Sequence, residues 1–246
     1  MDKARLDLGL ATPWMNSAGF MGFLPSPSPS VEIPFSAFVT NPISLLPRTP
    51  AHNRTLIPYP GGFLLHTGHP NPGLKIILRK FQEKWGRLPL PVLPHLLVQT
   101  PYECQQMVRL LEGVENISAI ELGLPPGVSD PCLIGLVRAA MGELPVLVCI
   151  PLDQIESNLV DQLPVLAPAG IILTAPRGSV RTNGRHTNGR LYGPALFPQM
   201  CSALSGLKGI GLPIIAGCGI FSKEQGEDAL ELGASAVQID AFCWKF

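Results

Sequence analysis

The sequence has little charge and no excess of either sign. Charged residues make up 15% of its 246 positions, and 18 Lys and Arg balance 18 Asp and Glu. With no net field to draw the protein onto nucleic acid or an anionic membrane, neither is expected as a partner, and any anion has to be met locally. No apolar run approaches the roughly 20 residues of a membrane span. The opening MDKARLD alternates charge where a signal peptide would carry an apolar core, so a cytoplasmic protein is the expectation. The six cysteines lie far apart with no C-x-x-C pair among them, which leaves no redox motif or zinc-ribbon spacing. Buried free thiols are the plain reading.

What is abundant is punctuation. The 27 prolines and 25 glycines fall between apolar runs rather than in a repeat, as turn residues do. Short apolar runs at 37–39, 95–99, 119–124, 146–150, 170–174, 213–216 and 234–239, with a first strand in 8–19, give eight strand candidates separated mostly by helical patterns. Helices are expected over 74–85, from the Thr100-Pro101-x-Glu103 cap through Leu111, from Asp130-Pro131 to about Gly142, over 152–163 and over 195–204. Strands apolar on both faces and joined by helical crossovers argue for a parallel sheet. At this length, the expected fold is one α/β domain over 1–246, a (β/α)₈ TIM barrel.

The stretch 211–242 is the most informative. Pro213-Ile214-Ile215-Ala216 reads as a strand and Gly217-Cys218-Gly219 as a tight turn. Ser222 with Gln225 forms a capping box, and Gly233 stops the helix before the last strand. Paired final βα units of this kind bind phosphate in many barrels through backbone N–H groups. Asp240 stands where that anion would lie. The chain then stops at Phe246, so the final covering helix is expected to be short or absent, and a partner subunit could cover that face in a homo- or hetero-oligomer.

Two segments resist assignment to barrel elements. Residues 45–73 are too rich in Pro, Gly and His for a helix and read as a long surface excursion. Residues 176–190 carry Arg177, Arg181, Arg185, Arg190 and His186 with no acid, and repeat Thr-Asn-Gly-Arg. They read as a mobile, hairpin-like lid or clamp for a small anionic ligand, or as a solvated loop with scattered charge. His66 and His69 form an H-x-x-H pair, but with no third ligand in sight no metal is expected.

With these elements in place, the chain resembles the dihydroorotate dehydrogenase family along nearly its whole length. The residues that carry the likeness are Pro13 to Gly19, similar to the first-strand N-A-S-G motif; His66 to Gly73, similar to G-L-x-N-P-G; and Ala119 to Leu122, similar to I-E-L-N. To these add Leu191 to Pro198, similar to G-L-S-G-P-A-L-K-P, and the final glycine turn with G-A-S-A-V-Q. The resemblance implies FMN at the barrel mouth, held by Asn16, Ser17, Ala18, Gly19, Gly193, Gly217, Cys218 and Gly219. It also implies hydride transfer from dihydroorotate to the flavin.

The same alignment implies departures. Asn41 and Cys149 stand where lysines are expected; Leu65, Gly123 and Ala175 stand where asparagines are expected. The loop after the fourth strand, Pro125-Pro126-Gly127, holds no base. Cys149 and His66 remain as candidate catalytic groups, with His69 as another proton carrier and Arg177 or Arg190 as an anion clamp. Three functions follow as expectations: a divergent flavin oxidoreductase that does not handle orotate in the family's manner; a non-catalytic barrel serving as scaffold or subunit; and a binder of another phosphorylated ligand at the arginine loop.

Overall fold

A computed structural model describes residues 8–25, 35–52, 55–182 and 184–241. The expectations about the N-terminal seven residues and about a missing final helix lie outside the described residues.

The chain opens with three very short buried strands, β1 (Trp14–Asn16), β2 (Phe38–Val39) and β3 (Ile43–Ser44). It then leaves the core as a hairpin, β4 (Thr55–Tyr59) and β5 (Gly62–His66). Helix α1 (Leu74–Gly86) buries Leu74, Ile77, Leu78 and Trp85 at helical spacing. Strands β6 (Val92–Leu93) and β7 (His95–Leu97) lead into α2 (Pro101–Glu112), where Thr100 Oγ1 accepts from the Glu103 N–H. Then come β8 (Ile120–Gly123), α3 (Asp130–Ala140), β9 (Val146–Pro151), α4 (Asn158–Leu166) and β10 (Gly170–Thr174). A second hairpin follows, β11 (Arg177–Thr182) and β12 (Arg185–Tyr192). The chain closes with α5 (Phe197–Gly206), β13 (Ile214–Ala216), α6 (Lys223–Leu232) and β14 (Ala236–Ile239). No helix among the described residues is long and apolar enough to cross a membrane.

Eight of these strands form one parallel sheet in the order β1-β14-β13-β10-β9-β8-β7-β3, and β2 pairs in parallel with β6. The seam is made at Asn16. Its Nδ2 donates to the Val39 carbonyl at 2.7 Å, its Oδ1 accepts from the Val39 N–H at 2.9 Å, and Met15 bridges to Ala37 beside it. Because β2 and β3 are consecutive and pair with β6 and β7, this contact closes the ring, and the expected TIM-barrel architecture is observed. The inside of the barrel is filled by Met15, Val39, Leu93, Leu147, Ile172 and Ile215. The larger apolar cluster lies between strands and helices. There Trp14 packs on Gly226 of α6 so closely that a Cβ on Gly226 would lie 2.1 Å from the indole.

Two expectations are corrected. The helix expected over 152–163 is a 3-10 turn at Leu152–Gln154 followed by α4, because Ser157 takes an extended N-cap conformation and restarts the helix. The excursion over 45–73 contains the regular hairpin β4–β5, with Gly61 at φ 88° in the turn. Pro58 disguised it, and is tolerated because β4 is an edge strand. The hairpin expected over 176–190 is observed, as a regular antiparallel pair of strands. Its β12 pairs with β5, so both excursions join in a four-stranded sheet ordered β11-β12-β5-β4. Asn71 fixes the base of the first excursion, its Oδ1 accepting from the N–H groups of Ser44 and Gly73 at 3.2 and 3.0 Å.

Candidate functional site

From the middle of the barrel toward the C-terminal side, the interior turns from apolar to polar. His95 on β7 lies directly opposite Glu121 on β8, and Gly123 opposite Cys149 on β9. All three functional side chains are buried. His95 Nδ1 sits 2.9 Å from Glu121 Oε2 and 4.0 Å from Cys149 Sγ. Gln238 Nε2 on β14 donates to the other carboxylate oxygen, Glu121 Oε1. Ser17 Oγ donates in turn to Gln238 Oε1 at 3.3 Å. Five residues from five places in the chain thus form one buried network whose members position one another. Burial, reinforced by the Glu121 carboxylate, pushes the Cys149 thiol well above its ordinary pKa despite Arg190, so in this environment it stays a thiol.

Above this layer the two hairpins lean over the mouth and leave two cavities. The smaller, about 50 Å³, is bounded by Ser17, Gly217, Gln238, Cys149 and Tyr192. The larger, about 200 Å³, lies between the β5–β12 sheet and the ends of β7 and β8, and among the described residues its lining includes no acid. Arg48, Arg177 and Arg190 all face it. Arg190 Nη1 donates to the Ala175 carbonyl at 2.7 Å, and Arg48 Nε to the Gly68 carbonyl at 3.3 Å, which holds both guanidinium groups in place. Among the described residues the buried Nε of Arg177 has no hydrogen-bond partner. Desolvation, then Arg190, draws the Arg177 pKa below its usual value, with Asp153 opposing. His69 shares this field: burial, then Arg190, His95, Arg48 and Arg177, push its pKa down to about 3, so it is neutral near pH 7.

No protein-family model matches the chain. Its relatives in sequence include two proteins named dihydroorotate dehydrogenase B (NAD(+)), catalytic subunit. The one from Trichlorobacter lovleyi is 23% identical over 254 residues, covering 94% of this chain and 84% of that protein. The one from Pelobacter propionicus is 26% identical over 258 residues, with the same two coverages. Among solved structures, dihydroorotate dehydrogenase from Eimeria tenella in complex with ferulenol matches with a TM-score of 0.73. That match covers 98% of this chain and 81% of the other at 15% sequence identity. The chain is a distant relative of the dihydroorotate dehydrogenases.

Seen as a dihydroorotate dehydrogenase-like barrel, the chain distributes its expected site residues unevenly. Ser17, Ala18 and Gly217 line the small cavity. Asn16 does not, since both ends of its amide are engaged in the barrel seam. Gly19 and Gly219 are turn residues with φ 94° and 76°, and Gly193, at φ 144°, lets β12 cross the Gly61 carbonyl. Cys218 is buried in the cluster between sheet and helices rather than inside the barrel. Cys149 borders the small cavity and His66 the large one, so the structure does not pair them; the histidine beside Cys149 is His95. His66 and His69 both line the large cavity. Arg181 and Arg185 are exposed at the far end of the hairpin, away from Arg177 and Arg190. Asn41, at one expected lysine position, accepts from the Gly22 N–H at 3.0 Å.

Sequence reasoning missed His95, Glu121, Gln238 and Arg48. A polar residue at an inward position of a buried strand was the available signal for the first three.

Proposed function

We propose that this dihydroorotate dehydrogenase-like barrel binds a small anionic ligand at its C-terminal face, between Arg48, Arg177 and Arg190. One observation carries the reading: among the described residues, three guanidinium groups converge on one cavity whose lining has no acid, and one of them holds a buried donor without a partner. A carboxylate or phosphate oxygen supplies both the charge and the acceptor, and an unmet buried donor costs about 1–3 kcal/mol. The volume of about 200 Å³ accommodates roughly six waters, which suits a small carboxylate or phosphate.

Two observations weigh against flavin mononucleotide in this mouth in the manner that the family resemblance implies. The cavity over the glycine turn measures about 50 Å³, against about 300–1,000 Å³ for sites that enclose molecules of that class. Asp240 is buried at the end of β14, where a phosphate would meet roughly 4 kcal/mol of repulsion per charge pair at 4 Å. The two lysines expected from the resemblance are Asn41 and Cys149. The chemistry of the relatives is therefore not carried over step by step.

The test is a calorimetric titration of the full chain with orotate and with inorganic phosphate, repeated on Arg177→Ala and Arg190→Ala. Saturable binding that weakens at least tenfold in each variant supports the reading; no binding, or binding indifferent to the arginines, ends it.

A second reading, a divergent FMN oxidoreductase, is favoured by the retained Gly217 to Gly219 turn. It requires a flavin visible spectrum from the purified protein or after incubation with FMN, and predicts that Asp240→Gly tightens FMN binding. As a subunit of a homo- or hetero-oligomer the barrel could serve without turnover. Light scattering that finds only a monomer, with dehydrogenase activity, would exclude that role.

A further inference from the structure

The buried trio beneath the small cavity brings three potential ligand atoms together. His95 Nδ1, Glu121 Oε2 and Cys149 Sγ come from three adjacent strands, and their ligand atoms all lie within 4.8 Å of one another. A nucleophilic relay needs the two imidazole nitrogens to face different partners, the thiol on one side and the carboxylate on the other. Here a single nitrogen, Nδ1, meets the carboxylate at 2.9 Å and the sulfur at 4.0 Å. The other nitrogen, Nε2, points at Gly123, whose missing Cβ makes room for the ring. A convergence of one nitrogen, one oxygen and one sulfur on a common point is the donor set of a borderline divalent cation.

We propose that His95, Glu121 and Cys149 form a transition-metal site of the zinc class at the floor of the barrel mouth. Its fourth position opens into the small cavity. Zinc bonds of about 2.0–2.3 Å separate tetrahedral ligand atoms by roughly 3.3–3.7 Å. The present separations of 2.9 and 4.0 Å bracket that range, so small side-chain rotations admit the ion. Outer support is already built: Gln238 holds the second carboxylate oxygen of Glu121, and Ser17 holds Gln238. Loading places the metal on the thiolate, and the thiol proton leaves to solvent. Three protein ligands with an open position facing a water-sized space is the arrangement of sites that bind water or a small ligand rather than purely structural ones. None of the three ligand residues lines the arginine cavity, although Arg190, His69 and Tyr192 border both spaces.

The experiment is to titrate the metal-free full chain with Co²⁺ and follow the near-ultraviolet thiolate-to-cobalt charge-transfer band. The expected result is a band that saturates at one equivalent, is displaced by Zn²⁺, disappears in Cys149→Ser and persists in Cys218→Ser. Gln238→Ala weakens binding about 10- to 100-fold. No band in the native protein, or a band that survives Cys149→Ser, overturns the proposal. Should Cys149→Ser fail to fold, the melting temperature of the native chain decides. A rise with Zn²⁺ that chelator reverses and that Cys218→Ser retains supports the site; indifference to both reagents overturns it.

Discussion

The imidazole of His95 occupies the space that a side chain at position 123 would need. A Cβ on Gly123 would lie 2.6 Å from His95 Nε2 and 2.9 Å from the Leu96 carbonyl oxygen. Position 123 is where the family resemblance puts an asparagine, so the histidine and the glycine form a matched pair. Gly123→Ala is expected to lower stability by about 1–3 kcal/mol, the usual cost of overpacking. Combined with His95→Ala it should cost less than the sum of the two single changes, as measured by urea denaturation in a double-mutant cycle.

Gly226 presents the same question with two opposing terms. Alanine in a helix interior gains up to about 1 kcal/mol over glycine. The new Cβ, however, would lie 2.1 Å from the Trp14 ring, and displacing a buried indole costs about 1–3 kcal/mol. The clash wins, so Gly226→Ala is expected to lower the melting temperature and to alter Trp14 fluorescence.

His69 ties stability to pH. Its folded pKa, near 3, is depressed below the usual 6.5, so the unfolded chain binds a proton first as the medium is acidified. Stability is fully present above about pH 6.5 and falls as pH drops toward 3, by no more than about 5 kcal/mol if the depression is complete. His69→Gln should flatten that slope in denaturation curves taken between pH 7 and 4. A bound anion should also reduce it, because added negative charge favours the imidazolium.

Removing the cap of α6 tests a smaller effect. Ser222 Oγ accepts from the Gln225 N–H at 3.2 Å, while Gln225 Oε1 accepts from the Phe221 N–H at 2.8 Å. Ser222→Ala is expected to cost about 0.5–2 kcal/mol and Ser222→Gly only a few tenths, a difference that chemical denaturation resolves.

These caps show what was legible. Ser222 with Gln225 and Thr100 with Glu103 announced two helix starts because capping chemistry is local. The apolar run from Gly170 to Thr174 gave β10 with its observed bounds. The lid sheet was not legible, since the pairing of Leu65 with Arg190 joins segments far apart in sequence with no local sign of it. The repeated Thr-Asn-Gly-Arg makes the point sharply: its first copy includes the hairpin turn, with Gly184 at φ 77°, whereas its second runs along β12. The site was half legible. Cys149 stood out as a substituted lysine, but His95 and Glu121 meet only through strand register, which no single run of residues reveals.

The Asn16 seam and the pairing of Trp14 with Val237 bear on how the chain acquires its shape. The Asn16 contact with Val39 joins residues 23 apart, whereas the pairing of Trp14 with Val237 joins strands from opposite ends of the described chain, so the β1–β14 edge is the long-range contact of high contact order. Until it forms, both strands expose unpaired edges, the condition under which nascent barrels associate wrongly. Trp14, paired with Val237 and packed on Gly226, therefore reports that long-range edge.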